Sequence, residues 1–299
     1  MPGFLTDFYQ TYSTDINRIG LNALLALSIY ITLSCGLLSL ANAGFAAIGA
    51  YTAALLSIHQ GWPFGVVLLA GGAVAALLSA PLALPVLRLR GVFLAISTIG
   101  FGEVVRIFFV NWSFAGGALG LVGIPQQTTW WQIYLIAGLL LFFFWRLRGS
   151  RMGYALEAIR QDEVTAQTMG INTTFYKLVA FVIGAFIAGI VGGLQAHLFF
   201  IVDPRDFGFA RAVEILSYAV VGGMNLFVGP VLGAMLITLL PELLRNLSSL
   251  GISAGAVRQF VNGAVLLVII LYLPGGLVTL PVQSSGWLSR WKGFARPRD

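Results

Sequence analysis

The chain has 299 residues, of which 58% are hydrophobic and only 9% charged, and its mean hydropathy is +0.90. A water-soluble globule cannot hide that much apolar surface, so the composition excludes a soluble enzyme and makes the bilayer the expected solvent. The net charge of +6 does not point to nucleic acid, because the cations sit beside apolar stretches, where topology signals belong.

From the N-terminus, residues 1–20 carry Asp7 and Asp15 without an early positive cluster, so they read as a short peripheral segment and not as a cleaved secretory signal. Apolar spans are expected near 21–40, 43–58, 62–86, 92–111, 131–145, 174–200, 212–224, 228–244 and 257–274, given that about 20 apolar residues cross about 30 Å of hydrocarbon. The expected fold is all-α: one polytopic membrane domain over residues 1–299, with about 8–10 transmembrane helices, some of them broken or re-entrant. Three basic clusters should face the cytoplasm. They are Arg88 with Arg90; Arg146, Arg148, Arg151, Arg160 and Lys177; and Arg290, Lys292, Arg296 and Arg298 in a basic tail over 284–299. Residues 111–132 contain no Lys or Arg but hold Trp112, Trp130 and Trp131, as an outer loop bounded by interfacial aromatics would. If all nine segments cross, the N-terminus lies outside and the C-terminus inside. Cys35 is alone, which excludes a disulfide framework, and it reads as a small buried hydrophobe.

Two stretches are interrupted in related ways, residues 39–51 around Asn42, Gly44 and Gly49, and residues 222–234 around Gly222, Gly223, Asn225 and Gly229. Irregular backbone leaves amide groups unpaired, which lipid tolerates only inside protein or along a watery cavity. Broken segments in corresponding halves mark a substrate path, while single glycines equally serve close helix packing. Close packing is also expected where Ala185, Gly189 and Gly193 recur every four residues, flanked by Gly184, Ala188 and Gly192; Ile183 is read as facing lipid.

Charges within spans are few. If a helix starts at Val92, Glu103 lies about 17 Å along it and Arg106 one turn further. The pair is either a lining element of a conduit or a structural ion pair with Arg106 reaching the interface. Arg211 and Glu214 share that spacing near a span start and read as interfacial. His59 and His197 are far apart and lack neighbouring ligands, so both read as interfacial or packed. The only lysines, Lys177 and Lys292, follow Tyr176 and Trp291, so no phosphate-cradling loop exists on this chain.

The polar island Arg146 to Lys177 stands out from all this. Residues 153–170 carry apolar or small residues at helical spacing (Ala155, Ile159, Ala166 and Gly170), with Gly170 as a stop. A helix between two spans on the cytoplasmic side can dock a soluble partner or simply lie in the interface.

The runs Ala158-Ile159-Arg160 to Ala166, Gly170-Ile171-Asn172, Lys177-Leu178 and Ala188-Gly189 to Gly192-Gly193 resemble the permease subunits of branched-chain amino acid ABC importers of the LivM type. So do Leu38 to Phe45 with Ile48-Gly49-Ala50-Tyr51, and Val221-Gly222-Gly223 with Gly229 to Ala234. The resemblance covers most of residues 21–275. It implies one pore half in the lipid of a bacterial inner (plasma) membrane. Its partners would be a second homologous permease subunit, two cytoplasmic ATPase subunits and an extracytoplasmic substrate-binding protein. ATP and Mg would be held by the ATPase subunits, with no cofactor on this chain. It also implies that residues 146–173 form the cytoplasmic coupling segment, with Glu157, Arg160, Asp162, Glu163 and Gly170 contacting an ATPase. On the same carry-over Asn42, Gly44, Tyr51, Gly222, Gly223 and Asn225 lie near the conduit, which Glu103 would join. Asn42 stands where many relatives carry His or Tyr, which leaves urea or short amides open beside neutral amino acids. A secondary transporter using Glu103 as a proton-linked carboxylate would also have broken helices but no need for the island.

Overall fold

The computed structural model describes residues 2–224, 226–243, 263–264, 267, 271 and 276–277, without the side chains of 2–13 and 241–243. Ten helices lie within it: α1 (Pro2–Leu33), α2 (Asn42–Gln60), α3 (Phe64–Val86), α4 (Val92–Asn111), α5 (Trp130–Arg148), α6 (Arg151–Gln161), α7 (Glu163–Thr168), α8 (Thr173–Phe199), α9 (Phe209–Gly222) and α10 (Val228–Leu243). Among the described residues, five stretches are long and apolar enough to cross a membrane: Thr14–Leu33, α3, α4, α5 and α8. Helices α2, α9 and α10 fall short in length or apolarity, and the expected span 257–274 lies largely outside the described residues. The all-α expectation for a polytopic membrane protein holds, with one addition. β1 (Leu121–Val122) and β2 (Ile201–Val202) form a two-residue antiparallel ladder that pins the loop after α4 to the end of α8.

Helix α1 runs unbroken from Pro2, past the expected end of the peripheral segment, and stops at Leu33 instead of continuing to residue 40. Gly36 takes a left-handed conformation (φ 76°), the Leu37 N–H donates to Thr32 O and the Gly36 N–H to Leu33 O. That pair of bonds closes a helix C-terminus around a glycine, which no run of apolar residues announces. The chain returns without helix to Ala41, and α2 begins there.

Helix α8 is central. Its glycine stripe meets three neighbours: a Cβ at Gly184 would touch Ser28 O of α1 at 2.9 Å, one at Gly189 would touch Ala75 and Gly71 O of α3 at 2.7 and 2.8 Å, and one at Gly192 would run into the Ala46 carbonyl of α2. Backbones this close need glycine, and small residues gather where helices pack without water to drive them together. Ile183 is half-buried against the core and does not face lipid freely. Helices α9 and α10 form a hairpin of the same kind, with Gly222 against Gly229 and Gly233 against Tyr218, closed onto α1 through Ala23 and Ala26. Helix α5 is peripheral and buries only Ile133 and Phe144.

The molecule has two distinct ends. The ends of α3 and α5, the starts of α4 and α8, and helices α6 and α7 bring together Arg88, Arg90, Arg146, Arg148, Arg151, Arg160 and Lys177, hereafter the basic end. The loop over residues 112–129, the start of α5 with Trp130 and Trp131, and the β ladder occupy the other.

Candidate coupling segment and conduit

Local chemistry splits the expected helix 153–170 in two. Ser150 caps α6, accepting from the Gly153 N–H at 3.2 Å. Asp162 is extended (φ −156°) and caps α7, its Oδ1 accepting from the N–H groups of Val164 and Thr165 at 2.8 and 3.0 Å. An aspartate that can satisfy two orphan amides favours a restart over a continuous helix. Hydrogen bonds from Thr165, then from Val164, hold its carboxyl below the usual aspartate value. Gly170 (φ 83°) ends α7 as expected, and the Asn172 side chain caps α8 by accepting from the Phe175 N–H.

Ala155, Leu156, Ile159 and Ala166 form the buried stripe. Glu157, Asp162 and Gly170 are exposed. Arg160 and Glu163 are turned toward the chain itself. Arg160 donates from Nη1 to Met224 O at 3.4 Å, pairs with Glu157 at 3.4 Å, and has its Cα 3.6 Å from where a Cβ of Gly36 would stand. Helix α6 therefore touches two breaks between membrane helices, the Ser34–Ala41 return and the turn after α9, whereas the expected interruption around Asn42, Gly44 and Gly49 is regular helix within α2. Glu163 bonds Lys177 of α8 at 2.5 Å and lies 3.8 Å from Arg90 in the α3–α4 loop. Beside the exposed polar residues stand Tyr154, Val164 and Met169, each more than half exposed. Sequence reasoning did not single out these three as partner contacts. The signal was present, since they are apolar residues lying off the buried stripe.

The expected path residues do not converge in one place. Asn42, Gly44 and Tyr51 are buried along α2. Asn42 Nδ2 donates to Ser28 Oγ at 3.0 Å, a Cβ on Gly44 would lie 3.1 Å from Gly102 Cα, and Tyr51 stacks on Phe109 at 3.9 Å while its hydroxyl donates to Val202 O. Gly222 and Gly223 (φ 98°) are buried at the basic end, and Asn225 lies outside the described residues.

Glu103 stands apart on α4, with its side chain 30% exposed. Arg106 Nε donates to its Oε2 at 2.6 Å, and the backbone N–H of Phe209 donates to its Oε1 at 2.8 Å. Glu103 thus caps α9, a helix that starts about 12 Å short of the end of α4 at Asn111, counting 1.5 Å per residue. The Leu40 N–H, just before α2, donates to Thr98 Oγ1 at 2.9 Å, about 9 Å above the start of α4 on the same count. Two helices therefore begin inside the depth of the span, both braced on α4. The expected span start near residue 212 falls close to Phe209, but an apolar run does not show the depth at which a helix begins. Arg211 near the start of α9 is half-buried, its side chain 16% exposed, and is turned toward polar groups of the chain itself. It bonds Glu214 and Asn22, each at 2.8 Å, and Asn22 bonds Thr238 at 2.9 Å, joining α1, α9 and α10. His197 is fully buried between Ser57 Oγ and Gly193 O, as a packed histidine.

The family described as branched-chain amino acid transport system, permease component, matches residues 13–270. The chain is 34% identical to the high-affinity branched-chain amino acid transport system permease protein LivM of Salmonella typhimurium, across 88% of this chain and 67% of that protein. It is 32% identical to the corresponding LivH of Escherichia coli, across 52% of this chain and 48% of that protein. It is 27% identical to the xylose/arabinose import permease protein XylH of Sulfolobus acidocaldarius, across 54% and 45%. No solved structure matches the chain.

Proposed function

The chain belongs to the branched-chain amino acid transport permease family, and on that premise we propose that it is one pore half of an ATP-driven importer for branched-chain or other neutral amino acids. Its place is a bacterial inner membrane, with the basic end in the cytoplasm. A second permease related to it completes the pore, two cytoplasmic ATPase subunits hold ATP and Mg, and an extracytoplasmic binding protein delivers cargo at the tryptophan-rich end. No bond of the cargo is broken on this chain.

One observation carries the reading: a single short helix, α6, contacts two breaks between membrane helices while its other face is open. A motor that seats on Tyr154, Glu157, Asp162, Val164 and Met169 moves α6 and α7 as a body. Arg160 passes that displacement to the α9–α10 turn, Gly36 receives it at the α1–α2 return, and Glu163 passes it through Lys177 to α8. Bistable packing of this kind converts a small displacement into alternating access. Glu103 spends both carboxylate oxygens on Arg106 and on α9, which favours this mechanism over a proton-coupled carrier.

Copurification of the chain with ATPase subunits, followed by uptake into vesicles, tests the reading. Leucine uptake that requires ATP supports it, uptake driven by a proton gradient without nucleotide overturns it, and preference for urea in a panel of leucine, alanine, glutamine and urea redirects the cargo to short amides.

A further inference from the structure

Glu103 and Arg106 keep 30% and 33% of their side-chain surface open at mid-span. Lipid offers such groups neither hydrogen bonds nor charge, so this face of α4 meets water or polar matter. Its rim is apolar: Val104 and Ile107 on α4 and Phe209 and Val213 on α9 are all exposed. Gly208 keeps the approach clear, for a Cβ there would stand 3.2 Å from both Arg106 Cδ and Glu103 Oε1. The bond to Glu103 uses Arg106 Nε, which leaves the two terminal nitrogens of the guanidinium to grip a planar anion in bidentate fashion.

We propose that this patch is the station in the conduit that takes the zwitterionic head of a neutral amino acid: Arg106 binds the α-carboxylate, Glu103 the α-ammonium, and the apolar rim the side chain. The proposal rests on the reading above that neutral amino acids are the cargo. A carboxylate–guanidinium pair and a zwitterion can exchange partners without an uncompensated charge ever standing in the span. Urea or a simple amide carries neither charge and gains nothing by opening the pair, so the station also selects against those cargoes.

The test uses the complex coexpressed with its partner subunits and reconstituted with its binding protein, at saturating leucine. The double variant Glu103→Gln with Arg106→Gln leaves a neutral hydrogen-bonded pair that still caps α9, and Arg106→Lys keeps the charge without the bidentate fork. We expect the double variant to copurify with its partners and hydrolyse ATP, but to import leucine at least tenfold more slowly. Arg106→Lys should slow import several-fold. Full-rate import by the double variant overturns the proposal. If the double variant fails to assemble, Arg106→Lys decides: slowed import supports the station, and normal import makes the pair a contact between permease subunits and overturns it. Absence of leucine import by the unmodified complex would instead sink the cargo assignment and is read separately.

Discussion

The guanidinium of Arg160 reaches the carbonyl oxygen of Met224, 3.4 Å from Nη1, tying the polar island to the turn between two membrane helices. If that tie transmits movement, cutting it should uncouple the motor without detaching it. In Arg160→Ala, copurified ATPase should be retained and ATP hydrolysis should continue, while uptake falls about tenfold, the kinetic equivalent of about 1.4 kcal/mol and within the range of about 0.5–1.5 kcal/mol for one ordinary hydrogen bond. Loss of ATPase copurification would place Arg160 in the docking face instead. Unchanged uptake in Arg160→Glu would remove the island from the mechanism.

The Glu163–Lys177 pair makes a separate prediction. Lys177→Met leaves the half-buried Glu163 with only Arg90, 3.8 Å away and largely exposed. The expected destabilisation is about 1.5–3 kcal/mol, at the lower end because Glu163 retains some access to water. Thermal unfolding in detergent measures it, and adding Glu163→Gln should recover much of the loss, since the damage lies in the abandoned charge.

Close helix approach predicts steric intolerance. Gly192→Leu drives a side chain into the Ala46 carbonyl of α2, which no rotamer change avoids, so overpacking should exceed its usual range of about 1–3 kcal/mol. Membrane expression should collapse. Leu139→Ala, on the exposed face of α5, should leave expression near the unmodified level.

Asp162 gives a pH dependence. Its carboxyl titrates below the ordinary value because it caps α7, so its stabilisation is full above the unfolded value of about 3.9 and is lost as pH falls through the lower folded value. The protection of the Val164 and Thr165 amides, measured against their intrinsic exchange rates, should therefore fall as the pH drops through that value. Asp162→Asn, which keeps an acceptor without the ionisation, should remove that pH dependence.

These predictions also show where the sequence was readable. Local periodicity survived folding: the four-residue glycine repeat of α8 marked its packing faces, the Glu103–Arg106 spacing marked an ion pair, and Gly170 marked a helix end. Relations across distant segments were silent. Glu163 and Arg160 read as partner contacts because nothing in their surroundings names Lys177, Arg90 or Met224 as neighbours. The start of α9 was legible to within a few residues, but its depth was hidden because apolar runs look alike whether a helix crosses fully or begins midway, and nothing in the sequence joined Arg211 to Asn22 of α1. The β ladder, two residues on each side, is too short to leave a pattern.

The most direct test of the central claim is the side from which the island can be reached. With Cys35, the only native cysteine and buried, replaced by Ala, a Val164→Cys variant should react with a membrane-impermeant maleimide in inverted vesicles and stay unlabelled in intact spheroplasts. Bound ATPase subunits should block the reaction. Labelling of intact spheroplasts would put the island on the outer face and contradict its role as the handle of a cytoplasmic motor.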